Sequence, residues 1–139
     1  MKVAIVYDTH TGITAAAAEK MAEVVRAAGL ECSTESVSNA DPAVVARADA
    51  IAMGCWTKGW FIIKQHPSEG ALDFVEKLSL NGKPVAVFAT YKLAVGPALT
   101  KLANALESSG GRVTGMYKVK GPNVPEGFEG WVDSLGAAS

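Results

Sequence analysis

Short, almost wholly apolar runs alternate along the chain with stretches in which apolar residues recur every three or four positions. The runs at 3–7 (VAIVY), 50–54 (AIAMG) and 85–89 (VAVFA) carry no charge, the pattern of strands covered by helices on both faces. Those at 30–36 (LECSTES) and 112–119 (RVTGMYKV) mix polar with apolar residues, as partly wet sheet edges do. Between them, Ala17, Met21, Val24, Val25 and Ala28 share one helical face, as do Leu99, Leu102, Ala103 and Leu106. Gly29 and the Gly110-Gly111 pair stand where those helices should stop. Residues 41–48 and 68–78 fill two further crossovers, and Phe128, Trp131, Val132 and Leu135 form a final stripe. The resulting βαβαβαβαβα succession predicts an α/β fold, a doubly wound five-stranded parallel sheet. Polar second and fifth strands belong at the edges, which gives the order 2-1-3-4-5. The order reverses between the first and third strands, and ligands of such sheets bind there, beyond the carboxyl ends.

Composition narrows this picture. A chain of 139 residues, 49% hydrophobic and without a low-complexity tract, is the right size for a single domain spanning 1–139. A net charge of −1 gives no basic surplus, so nucleic acid is not an expected partner. No apolar run reaches membrane-spanning length, and the N-terminus reads as a strand rather than a signal peptide, so a cytoplasmic location is expected. Cys32 and Cys55 are too few for a disulfide framework, and His10 and His66 lack ligand partners at useful spacing; no metal site is expected.

The chemistry is expected in the loops at the reversal point. After the first strand comes Asp8-Thr9-His10-Thr11-Gly12-Ile13-Thr14, running straight into a helical pattern. A helix start holds phosphate with unpaired backbone N–H groups and the favourable end of its dipole, and needs no cation. A tight turn through Gly12 would point Thr9, Thr11 and Thr14 at one centre. The plainer alternative makes Thr11 an N-cap and Thr9 a turn residue. The loop has neither the lysine of a P-loop nor the G-x-G-x-x-G of dinucleotide folds.

The stretch Thr9-His10-Thr11-Gly12-Ile13-Thr14 resembles the flavodoxin phosphate loop, [ST]-x-T-G-x-[ST], in the place that family keeps it. Tyr7-Asp8-Thr9 is also similar to the start of the flavodoxin-type domain in flavodiiron proteins. The likeness extends over the whole chain in element order and length, and implies a flavodoxin-like fold, a flavin mononucleotide (FMN) cofactor and a phosphate site at residues 9–14. Met53-Gly54-Cys55-Trp56-Thr57 resembles the family's third-strand exit, so Cys55, Trp56 and Thr57 carry over as contacts, with Trp56 first and Trp60 second for stacking on the flavin ring. Thr90-Tyr91-Lys92-Leu93-Ala94-Val95-Gly96 resembles the next strand's exit; Thr90, Tyr91, Leu93 and Gly96 carry over, Leu93 standing where the family has an aromatic.

One departure concerns charge. Electron-carrier flavodoxins surround the flavin with acidic residues, whereas this chain offers Lys58, Lys64, His66 and Lys92. A unit charge roughly 8 Å from the ring at an effective dielectric of about 20 is worth about 2 kcal/mol. For a one-electron couple that is roughly 90 mV, so the reduced flavin is expected to be less reducing than in an acidic-rimmed relative. The segment Trp60-Phe61-Ile62-Ile63 is unusually apolar for a loop and reads as a docking surface or lid; the plainer alternative tucks Phe61 and Ile63 into the core beside the third helix. The expected function is electron carriage to a redox partner protein docking at this loop and rim, by a monomer or weak dimer and without catalytic side chains. The alternatives are a small FMN-dependent oxidoreductase acting on a quinone- or porphyrinogen-like substrate, and a binding module that kept the fold and lost the flavin.

Overall fold

The computed structural model describes residues 1–9, 12–58, 66–67, 69–91 and 98–138. Its elements follow in the order β1 (Lys2–Tyr7), α1 (Ile13–Ala27), β2 (Glu31–Ser36), α2 (Pro42–Val45), β3 (Ala50–Lys58), β4 (His66–Pro67), α3 (Glu69–Glu76), β5 (Pro84–Tyr91), α4 (Ala98–Ser108), β6 (Arg112–Lys120) and α5 (Phe128–Ala138). The five long strands are parallel and ordered β2-β1-β3-β5-β6, with β4 pairing antiparallel to β3 off that path. Taken as the first to fifth parallel strands, this is the 2-1-3-4-5 order expected from the polar edges. Because the crossover from β1 to β2 runs opposite to the others, right-handedness puts α1 on one face and α2, α3 and α4 on the other.

Strand parity sorts the core into two clusters. Val3, Ile5, Ala50, Ala52, Ala86 and Phe88 face α1 and α5, meeting Met21, Val25, Phe128 and Trp131. Ala4, Val6, Ile51, Met53, Cys55, Val85, Val87 and Ala89 face the other way, onto Phe74, Val75, Leu102 and Leu106. Each large side chain so buried is worth about 1.5–3 kcal/mol. In α1 the buried positions are Thr14, Ala17, Ala18, Met21, Ala22 and Val25, whereas Val24 is only half-buried and Ala28 is exposed. Gly29 ends that helix at φ 85°, where Leu30 N–H reaches back to Val25 O, and Gly110 does the same for α4 at φ 91°.

Two elements differ from the pattern read along the chain. The helix expected over 41–48 closes after Val45, capped at its start by Asp41 Oδ1, which accepts the Ala43 N–H at 2.9 Å. Its end is fixed from outside: Lys83 Nζ donates to Ala46 O, and Asp49 is tied to Lys2 through Lys2 N–H to Asp49 Oδ2 at 2.8 Å and Asp49 N–H to Lys2 O at 2.9 Å. The third strand, expected to finish at Gly54, instead continues to Lys58. Cys55 and Trp56 still have ladder partners in Ala89 and Thr90, and Thr57 and Lys58 then pair with Pro67 and His66.

Candidate functional site

The carboxyl ends of β1, β3 and β5 lie side by side, and α1 starts beside them. Its N-cap is Gly12, at φ 87°, ψ −4°; among the described residues no side chain caps the first turn, and the turn holds no acidic residue. Only glycine takes this left-handed conformation without strain. Gly12 O accepts the Ala16 N–H at 3.0 Å, so the helix proper begins here, and Gly12 N–H donates to Thr9 Oγ1 at 3.1 Å, clipping the turn shut. A Cβ on Gly12 would meet nothing within 4 Å. Among the described residues, a helix start without a side-chain cap, open space over its glycine and the absence of a first-turn carboxylate together fit a phosphate group.

Thr14 lies in the first turn, with its hydroxyl set against β5. Its Oγ1 is 2.7 Å from Thr90 Oγ1, and Thr14 and Thr90, at 1% and 4% exposure, are the buried polar side chains among the described residues. Thr90 continues the face of β5 that carries Ala86 and Phe88, and Thr14 continues the face of α1 that carries Ala18 and Met21. Thr9 and Thr14 therefore do not converge as equals: Thr9 holds the turn, while Thr14 joins the helix start to β5.

β3 supplies the neighbouring wall. Gly54 pairs with Tyr7 in β1 and Phe88 in β5, and a Cβ on it would overlap the tip of the Phe88 ring at Cζ. Only glycine lets that ring cross the strand. Asp8 N–H donates to Gly54 O at 3.0 Å, setting the exit of β1 against that of β3. Trp56, partly buried, is the register partner of Thr90 and so shares its face of the sheet. Cys55 points the opposite way, fully buried in the cluster facing α3 and α4. The Asp8 carboxylate turns toward the start of α3, where a Cβ on Gly70 would be 2.7 Å from Asp8 Oδ2; negative charge is favoured at that helix end.

Of the residues singled out from the sequence, the structure brings Thr9, Gly12, Ile13, Thr14, Trp56 and Thr90 to this end of the sheet, and sets Cys55 behind it. Thr57 and Tyr91 are placed there by their backbones, as the ends of β3 and β5. His10, Thr11, Trp60, Leu93 and Gly96 lie outside the described residues, as do Lys64 and Lys92. Reading the sequence missed the Thr14–Thr90 bond. Its signal was nonetheless present: each threonine falls on the buried phase of its own element. Tyr7, partly buried against the cluster facing α1 and α5, has its hydroxyl held above its ordinary pKa, first by burial and then by Glu19 and Glu35. Among the described residues no group of three or more His, Cys, Asp or Glu could hold a metal ion, and no helix is long and apolar enough to cross a membrane.

Fold and turn together define a doubly wound α/β protein whose first helix starts at a glycine, at the reversal point of the sheet. The family model described as flavodoxin matches residues 5–134, and the chain belongs to the flavodoxin family. Among solved structures it is similar to two-electron reduced Megasphaera elsdenii flavodoxin, at 25% identity, covering 99% of each chain with a TM-score of 0.79. It is similar also to the flavodoxin of Streptococcus pneumoniae strain TIGR4, at 22% identity over 100% of both chains and a TM-score of 0.81. A third is a mutant of Fusobacterium nucleatum flavodoxin bound to flavin mononucleotide, at 17% identity, covering 81% of this chain and 67% of that one with a TM-score of 0.64. No curated protein matches the chain.

Proposed function

We propose that this protein binds FMN at the carboxyl edge of the sheet and carries electrons to and from a redox partner protein. The observation that carries this reading is the open, uncapped start of α1 at Gly12, set at the reversal point of the sheet of a flavodoxin-family chain. Backbone N–H groups of the first turn and the Thr9 and Thr14 hydroxyls would hold the phosphate, and Trp56 beside Thr90 would cover the part of the flavin that leaves the turn. When bound, the flavin supplies reversible one- and two-electron transfer. The chain's own residues bind, orient and exclude water. Partner docking is assigned from the sequence, to the apolar residues Trp60, Phe61, Ile62 and Ile63 and the basic residues Lys58, Lys64, His66 and Lys92.

The test is the visible spectrum of the purified protein before and after FMN is added and the excess removed. A retained oxidised-flavin spectrum supports the reading; none retained overturns it. Gly12→Ala should weaken FMN far more than it weakens the fold. The strained backbone costs about 1–2 kcal/mol, while the same change closes the approach of phosphate to the backbone. The rim is tested by potentiometric titration of the loaded protein beside an acidic-rimmed flavodoxin. A couple less reducing by tens of millivolts supports the lysine rim, and an equally low potential counts against it.

A further inference from the structure

The buried hydroxyl pair at 2.7 Å ties Thr90, near the exit of β5, to the first turn of α1. Thr14 is the second residue of α1, immediately after Ile13, and is 1% exposed. A threonine hydroxyl has one proton and two acceptor sites. In a threonine–threonine pair one proton lies on the shared line, and the other hydroxyl keeps its proton for a third group. Either hydroxyl can donate along the shared line; where Thr14 gives its one proton to an anion at the start of α1, its Oγ1 is left to accept, and Thr90 is then the donor within the pair. Thr90 thereby fixes the rotamer of Thr14 and the direction of its proton from a rigid position. It stands on the register of β3 and β6 through Trp56 and Val119.

We propose that Thr90 is a positioning residue for the phosphate of the bound nucleotide, acting through Thr14, rather than a contact of the flavin ring. The assignment rests on the FMN-binding reading above and specifies which part of the ligand Thr90 serves. It also makes the start of α1 and the end of β5 a single unit, since one hydrogen bond joins residues 76 apart in sequence.

The experiment compares FMN with riboflavin, which lacks the phosphate, by fluorescence titration of the wild type, Thr90→Val, Thr90→Ser and the double variant Thr14→Val/Thr90→Val. Thr90→Val keeps the shape and removes the hydroxyl. It is expected to weaken FMN about five- to tenfold, to leave riboflavin within twofold, and to be rescued by Thr90→Ser. Adding Thr14→Val to Thr90→Val should cost less than Thr14→Val costs alone, because the two act in series. Equal loss of both flavins in Thr90→Val overturns the proposal, as does FMN affinity that is unchanged. Should Thr90→Val fail to fold, Thr90→Ala is read by the same FMN-to-riboflavin ratio. A wild type that binds neither flavin overturns the functional reading itself, and this assignment with it; the two failures are thus told apart by the first titration.

Discussion

The two helical layers cover the same three central strands with opposite distributions of size. Toward α1 and α5, β3 presents Ala50, Ala52 and Gly54, and the space left is filled by Phe88, Phe128 and Trp131. Phe128 stacks on Trp131 at 5.7 Å and meets Tyr117 edge-on at 6.2 Å. Toward α2, α3 and α4, β3 presents Ile51, Met53 and Cys55, and the partners are mostly aliphatic. On that side α2 has four residues and leaves a cavity of about 280 Å³ over β1 and β2, bordered by Ala4, Val6, Ser33, Glu35 and Val44. The face with interlocking rings is the one that continues into Thr14 and Thr90. The ring cluster and the Thr14–Thr90 pair therefore share a layer, and the pocket beside α2 opens on the other.

The strongest way to break that contrast is Gly54→Ala. Its Cβ would overlap the Phe88 ring, against both the strand and a fully buried aromatic, so unfolding free energy in urea should fall by about 3 kcal/mol or more. A loss below about 1 kcal/mol would mean that the ring has room to move. The next test pairs the two faces. Phe128→Ala should cost about 3–5 kcal/mol, whereas Val44→Ala, at a residue 50% exposed beside the cavity, should stay within about 0.5 kcal/mol. Similar losses from both would erase the distinction. The mildest test is pH. Cys32, on the edge strand β2, has its thiol pushed up to about 11, first by burial, with Arg26 opposing and Glu19 reinforcing. The unfolded chain then loses that proton before the folded one does. Stability from this group is fully present below the unfolded thiol pKa and declines as pH rises toward about 11. Cys32→Ala should flatten the alkaline limb of a stability-against-pH curve, and an unchanged limb would count against burial as the cause.

Much of this architecture was legible along the chain because its determinants are local. Three uncharged β-rich runs, two mixed ones and the glycines at 29 and 110 are enough to order five strands and stop two helices. The early end of α2 was not legible, because Lys83 reaches Ala46 from 37 residues away. Nor was the extension of β3, since Thr57 and Lys58 extend only by pairing with Pro67 and His66. At the site the same division holds. Gly12 announced its turn by type and place, while the Thr14–Thr90 bond needed the sheet to bring two elements together. Thr114 is a smaller case: the register slips in β6 between the partners of Val85 and Ala86, and the extra residue accepts the Trp131 Nε1–H at 2.8 Å, a bulge that no local pattern marks.

The ring cluster also fixes when the protein can finish folding during its synthesis. Phe128, Trp131, Val132 and Leu135, all on α5, are the covers of a layer whose floor is Ile5, Ala52 and Phe88. Chains fold as they emerge from the N-terminus onward, so the sheet can be complete through β6 while Phe88 and the base of α1 still face water. Until α5 leaves the ribosome the nascent chain carries an exposed apolar face, and it is there that a stalled or prematurely ended product would engage chaperones or be degraded.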